Sequence, residues 1–365
     1  MKIKDILNVL EEFAPPSLQE HYDNAGLITG NPEWDCTGIL CTLDSVEEVI
    51  QEAITKKCNL IVAHHPIIFR GLKRITGNNY VERSVILAIR NDIAIYSIHT
   101  NLDNVLKGVN GKMAGLLGLS NTRVLSPKEG ILQKLFCFVP LREADAVRQA
   151  IFDAGGGNIG RYSECSFNVE GMGTFKGAQD THPFVGDPGK LHQEKEIKME
   201  IIFPAWLQKR ILKAMLSAHP YEEVAYDIVT LANTHSMTGS GLVGDLENPL
   251  TETEFLQRLK SAFKLELVRH TALTGRKVKR VALCGGSGSF LIANALENRA
   301  DFYLSSDIKY HEFFDADGRM VVADIGHFES EQFTRELLNE ILREKFPTFA
   351  VLKSEVQTNP VQYFF

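Results

Sequence analysis

Asn59-Leu60-Ile61-Val62-Ala63-His64-His65-Pro66 is the stretch that decides the fold. Four consecutive apolar residues between turn signals predict a strand buried on both faces, as in a parallel sheet, and the two histidines fall where it ends. In open α/β sheets ligands bind at that end. Neighbouring side chains on extended backbone point to opposite sides, so the pair is expected to serve two metals, or one histidine to ligate while the other packs. A histidine pair with no further partner would read simply as hydrogen-bonded core imidazoles. Partners must therefore come from elsewhere in the chain.

Upstream, residues 38–43 predict a strand and Ser45 and Glu48 have capping-box spacing. Val46, Val49, Ile50, Ala53 and Ile54 form one helical stripe leading into the histidine strand, a βαβ unit whose strands run parallel. Downstream, a helix at 81–89 precedes a strand at 93–98, which ends in His99-Thr100-Asn101-Leu102-Asp103. A second cluster of metal-capable side chains thus appears at the same end of a third parallel strand. Near the N-terminus, a helix over 3–13 is followed by a polar loop, in which Asp23 and Asn24 either line a site or form an Asx turn ahead of a strand at Leu27-Ile28.

The pattern changes between Ser126 and Leu132. Strand 132–139, helix 142–154, strands 164–169 and 196–203, helix 205–218 and strand 224–231 give the order βαββαβ, the ferredoxin-like motif. The connection 171–194, rich in Gly, Pro and His, is expected to form a flap or contact loop. His182, His192 and His219 lack ligand spacing and read as surface or turn residues. The fold class is therefore an α/β core with a mostly parallel sheet, formed by 1–126 and 232–365 and interrupted by an α+β insert at 127–231.

In the last segment Thr251 and Glu254 cap a helix, 278–284 is a strand, and Gly285-Gly286-Ser287-Gly288-Ser289 reads as a tight turn opening the next helix. Strands follow at 300–307, 319–325 and 349–356. The second of these ends in Gly326-His327-Phe328-Glu329-Ser330-Glu331, at the start of a helix.

Composition excludes several function classes. The 365 residues carry a formal charge of −7, with no Lys/Arg block to bind nucleic acid or an anionic membrane. No apolar run approaches the ~20 residues of a membrane span, and a cytoplasmic protein is expected. Six cysteines without any C-x-x-C spacing fit reduced core thiols rather than a disulfide framework.

His327 and Glu331 are four apart at a helix start, so both project on one face. With His64, His65 and Asp103 they give three imidazoles and two carboxylates at strand ends, a mixed N/O set suited to zinc, iron, manganese or cobalt. Five ligands are too many for one catalytic zinc with an open position. They suit two ions about 3.5–4 Å apart, bridged by Glu331 and by water or hydroxide. His99 is a sixth participant, as an orienter or proton carrier. Asp307 and His311 are also four apart and are expected to line the site.

Ala63-His64-His65-Pro66-Ile67-Ile68-Phe69, His99-Thr100-Asn101-Leu102-Asp103 and Gly326-His327-Phe328-Glu329-Ser330-Glu331, with Asp23-Asn24-Ala25-Gly26 upstream, resemble the motifs of the NGG-interacting-factor-like dinuclear-metal family, also called GTP cyclohydrolase I type 2 homologues. The insert, with His219-Pro220-Tyr221-Glu222-Glu223, resembles a CutA- and PII-like module. The resemblance implies ligands at His64, His65, Asp103, His327 and Glu331, two divalent cations per subunit, and a homohexamer with its sites facing an internal cavity. Ser305-Ser306 stands where the family usually has Thr-Gly.

Two functions compete. In a metal-dependent hydrolase of the GTP cyclohydrolase type, a bridging hydroxide would attack a small-molecule substrate, such as the guanine ring of a nucleotide. Glu331 would bridge the metals and His99 would relay a proton. In a non-catalytic assembly, the core would hold metal while the PII-like insert senses a small molecule or docks a partner. The enzyme reading is favoured.

Overall fold

A computed structural model describes residues 1–364, and the chain divides into two compact units. Met1–Ser126 joins the chain from Met237 onward in the larger unit, and Pro127–Ser236 forms the smaller one. The first segment carries β1 (Gly26–Thr29), β2 (Ile39–Thr42), β3 (Leu60–Ala63), β4 (Ala94–Ser97) and β5 (Leu119–Pro127). The smaller unit carries β6 (Leu132–Pro140), β7 (Phe167–Phe175), β8 (His192–Pro204) and β9 (Tyr226–Thr230). The last segment adds β10 (Gly239–Thr251), β11 (Arg269–His270), β12 (Lys277–Ser287), β13 (Phe302–Ser306), β14 (Val321–Asp324) and β15 (Val351–Lys353).

The larger unit holds two sheets rather than the single mostly parallel sheet expected. One has the order β1-β4-β3-β2-β15, with β15, β2, β3 and β4 parallel and β1 antiparallel to β4. The other has the order β11-β14-β13-β12-β10-β5, with β12, β13 and β14 parallel and antiparallel strands β11 and β10 on either side. Each apolar run shows that a strand is buried; it does not say which neighbour buries it. That is why the partition into two sheets was invisible. β10 also escaped prediction, because Gly239, Gly241, Gly244 and Pro249 interrupt its apolar pattern, and its register shifts between Asp245 and Leu250.

Alternation along these strands builds the cores. Ile39, Cys41, Leu60, Val62, Ala94 and Tyr96 of the first sheet share one core with Val281, Leu283, Phe302, Leu304, Val321 and Ala323 of the second. Their sequence neighbours Leu40, Ile61 and Ile95 pack in a separate layer, as do Ala282, Tyr303 and Val322. Both faces of each parallel sheet are thereby covered, which accounts for unbroken runs such as Leu-Ile-Val-Ala.

Caps divide the predictions. Thr251 and Glu254 form the expected box, the Glu254 N–H donating to Thr251 Oγ1 at 3.3 Å and the Thr251 N–H to Glu254 Oε2 at 2.8 Å. Ser45 forms none, because the helix Glu47–Thr55 begins two residues later on an uncapped Val46, and the Ser45 hydroxyl is buried without a hydrogen-bond partner among the described residues.

The smaller unit runs strand, helix, strand, strand, helix, strand, in the sheet order β7-β8-β6-β9 with every pairing antiparallel. β7 extends to Phe175, so residues expected in a long flap are strand. At Gly173 a Cβ would stand 2.1 Å from Glu196 Oε2, and the glycine is there to let that carboxylate approach. All six cysteines are free. Among the described residues no helix is long and apolar enough to cross a membrane.

Candidate metal centre

Three parallel strands of the first sheet and one of the second end at the same place. β2 delivers Asp44, β3 delivers His64 and His65, β4 delivers His99 ahead of the short helix Thr100–Asp103, and β14 delivers His327 and Glu331 on the helix His327–Glu331. His64 and His65 lie just past the last paired residue of β3, where the chain bends. Their rings are therefore 5.0 Å apart on the same side, not on the opposite sides expected of extended backbone.

Glu331 is the hub. Its Oε2 lies 2.9 Å from His65 Nε2 and 3.1 Å from His327 Nε2, while Oε1 is 3.7 Å from His64 Nε2. Asp103 Oδ1 is also 3.7 Å from His64 Nε2. Three donor groups arise, each with its atoms within 4.8 Å of one another: His64, Asp103 and Glu331; His65, His327 and Glu331; and His64, His65 and His99. The structure thus brings His64, His65, Asp103, His327 and Glu331 together, with His99 as close as the others.

Every imidazole is oriented through its other nitrogen. His64 Nδ1–H donates to the Ile98 carbonyl at 2.9 Å, His65 Nδ1–H to Asp44 at 2.7 Å, His99 Nδ1–H to Asp23 at 2.7 Å and His327 Nδ1–H to Asp307 at 2.6 Å. Such partners fix each ring's orientation and turn each Nε2 toward the common centre. Asp23 also accepts from the Asn24 and Thr100 N–H groups, so it both makes a local turn and serves the site. Burial works against its ionisation, but the bonds from His99 and Thr100 hold its carboxyl down at about 2. Asp307 orients His327, while His311 packs on Tyr310 and Phe314 outside the cluster.

The residues fit a cation. His64 Nε2 and Asp103 Oδ1 are buried, and neither has a hydrogen-bond partner among the described residues. At 3.7 Å they are too far apart to bond each other, yet two donors each about 2 Å from a shared ion stand at such a separation. Buried polar atoms are rarely left unpaired, so these two point to an ion between them.

Sequence reasoning missed Asp44, Thr358 and Gly286. Asp44 follows β2 at the same end as the histidines, and that placement was the available signal; Thr358 donates to Asp44 at 2.5 Å from a distant loop with no motif. Gly286 belongs to no tight turn: β12 runs on through it with a register shift between Leu283 and Ser287. Its φ is +62°, and a Cβ there would lie 2.4 Å from Glu331 Oε1. A glycine inside a strand often marks such a close approach. Gly286→Ala is expected to cost about 1–2 kcal/mol in backbone strain and to displace Glu331, so bound metal falls while a folded protein remains. Unchanged metal content by elemental analysis would show that Glu331 has slack.

A family model described as Duf34/NIF3 (NGG1p interacting factor 3) matches residues 1–360. The chain belongs to this family. A Bacillus subtilis (strain 168) protein named GTP cyclohydrolase 1 type 2 homolog is 38% identical over 368 residues, covering 99% of this chain and 98% of its own length. The crystal structure of a Bacillus cereus protein related to NIF3 aligns with a TM-score of 0.86 at 36% identity, covering 100% of this chain and 99% of that one. A Staphylococcus aureus protein aligns at 0.78 and 29% identity, covering 100% of this chain and 99% of its own. The Duf34/NIF3 match includes every residue of the cluster.

Proposed function

We propose that the centre holds two divalent cations and that the protein is a metal-dependent hydrolase of the GTP cyclohydrolase type. His64, Asp103 and Glu331 would hold one ion and His65, His327 and Glu331 the other, with His99 a sixth donor or a proton carrier. Zinc suits the N/O set best, and iron, manganese or cobalt would also be accepted. When bound, such ions supply Lewis acidity and a water acidic enough to become a nucleophile near neutral pH.

One observation carries the hydrolase reading. Asp103, His327, Glu331 and His99 form one wall of a cavity of about 420 Å³ whose other walls include Tyr22, Phe290 and Asn104, so the centre opens onto space fit for a small molecule. A purely structural ion would be enclosed by protein ligands. Tyr22 and Phe290 are both more than half exposed and offer ring faces to a planar substrate such as a purine. His99 lines the same cavity, and Asp23, ionised and buried behind it, holds the ring so that Nε2 can carry a proton at the reacting atom. The name of the Bacillus subtilis relative supports a nucleotide ring as the target, and other ring amides and phosphoesters meet the same chemical requirement.

The same reading takes the protein as a cytoplasmic homohexamer. The order βαββαβ with sheet order β7-β8-β6-β9 supports reading the smaller unit as a ferredoxin-like module of the CutA- and PII-like kind.

Metal-loaded protein offered a panel of nucleotides and ring amides is expected to give turnover in proportion to its metal content. Tyr22→Ala combined with Phe290→Ala is expected to raise KM without changing metal stoichiometry. Turnover absent across the panel, or independent of metal content, sinks the hydrolase reading.

A further inference from the structure

The smaller unit contains a second cavity, of about 390 Å³, lined by Phe138, Phe175, Phe184, Tyr221, Glu196 and Glu222. Its size is that of a metabolite site rather than a peptide groove. None of the residues of the metal centre lies in this unit.

Glu196 is the unusual member. It projects from β8 and is only 9% exposed. One oxygen accepts the Tyr221 hydroxyl at 2.9 Å. The other, against Gly173, accepts no hydrogen bond, and no Lys, Arg or His pairs with the carboxylate among the described residues. That free oxygen opens onto the cavity, so a carboxylate nine-tenths covered by protein presents an uncompensated charge to the space a ligand would fill, where a cation is the favoured partner. The surroundings hold it in place. His219 is itself buried, with Nε2–H donating to the Phe138 carbonyl at 3.0 Å and Nδ1 accepting the Tyr221 N–H at 3.1 Å, which fixes the turn that aims Tyr221 at Glu196.

The remaining walls agree in sign. The lining holds three carboxylates, those of Glu196, Glu222 and Glu223, and one ammonium, that of Lys176. Phe175 and Phe184 stand 6.0 and 6.3 Å from the Tyr221 ring, forming an aromatic wall beside the carboxylate. Aromatic faces next to acidic groups recognise organic cations by cation–π attraction. A metal ion would instead need several converging donor atoms, and an anion would be repelled.

We propose that this cavity binds a small organic cation, a primary amine or guanidinium on an apolar body, with Glu196 as its charge partner and Phe175, Phe184 and Tyr221 enclosing the body. Ligand binding thereby supplies the partner that the folded chain leaves out.

The test uses the full chain with phenethylamine and agmatine as probes and phenethyl alcohol as the uncharged match, followed by saturation-transfer NMR and calorimetry. Both amines are expected to bind once per subunit and the alcohol not at all. Glu196→Gln is expected to weaken amine binding by about tenfold or more, the usual scale for losing a hydrogen bond to a charged group. Circular dichroism checks its fold. If that variant does not fold, Phe184→Ala on the covering connection is expected to weaken the amines while leaving the secondary structure intact. No amine binding at millimolar concentration, equal binding of the alcohol, or amine affinity unchanged in the folded variants would overturn the proposal.

Discussion

Glu331→Gln is expected to abolish binding of both cations while the protein stays folded. Glu331 is the one residue common to the two donor groups that would each take an ion, and it is 3% exposed at the meeting point of three imidazoles. Glutamine keeps the shape but removes the charge and replaces one acceptor oxygen by a donor, whose hydrogens would face Nε2 lone pairs. The loss should exceed the roughly 10- to 100-fold that removing an outer partner costs. Elemental analysis after desalting should fall from two ions per subunit to none, with turnover falling to that of chelator-treated protein. Asp103→Asn belongs to only one of those groups, so it should retain the ion held by His65, His327 and Glu331. Two ions per subunit in Glu331→Gln would remove the shared-carboxylate geometry. Equal trace turnover in wild type and variant would remove the hydrolase reading and leave the metal site standing.

That hub was legible in the sequence because its parts are local. His327 and Glu331 are one helical turn apart, and His64-His65 follows an apolar run whose burial is visible at once. Physical rules then place both at strand C-terminal ends, and the parallel pairing of β2, β3 and β4 brings those ends together. The convergence of the second sheet's helix on the first sheet's histidines was not readable from periodicity, since no pattern within one segment encodes which distant segment it meets. The family resemblance carried that step.

The outer partners show the same divide. Asp23 and Asp307 stood out, as a loop residue and as the polar end of a strand, but their histidines could not be assigned without coordinates. Asp44 has no local signature beyond standing next to the Ser45–Glu48 spacing, and no capping box forms there. In the sequence Gly285-Gly286 reads as a turn, because a strand that bulges to admit a carboxylate from another element has no local signature beyond glycine itself. The aromatic and acidic cavity of the smaller unit was likewise invisible: its walls come from 138, 173–184, 196 and 221–225, which share no spacing.

Metal uptake is expected to strengthen steeply with pH and to release protons. Without a cation the cluster balances its charge with protons instead. Burial disfavours charge on His65, yet hydrogen bonds to Asp44 and Glu331 raise its pKa to about 10. On His327 burial is likewise overcome, by Glu331 and Asp307, to about 11. Burial, reinforced by the nearby Glu331 charge, raises Asp103 to about 8. At neutral pH all three hold a proton that a bound cation must displace, because ligation needs a neutral imidazole and an ionised carboxyl. Two imidazolium protons per subunit imply that filling both positions becomes roughly a hundredfold more favourable per pH unit between 6 and 8, with Asp103 adding part of a third. Chelator competition at pH 6, 7 and 8 measures that slope, and weakly buffered titration measures the protons.

Stability should respond in opposite senses. In the metal-free chain each raised group is protonated in the fold up to a higher pH than in the unfolded chain, where the values are about 6.5 for His and 3.9 for Asp. The contribution of the two histidines is therefore fully present below about pH 6.5 and is lost as pH rises toward 10 and 11. The same sign holds for Asp103, whose raised pKa makes the metal-free fold less stable as pH rises from about 4 to 8. Metal-loaded protein gains stability over that range as affinity rises. The gap in melting temperature between loaded and chelator-treated protein should widen from pH 6 to 8. A gap that stays constant would mean that these histidines and Asp103 do not exchange protons for the ions.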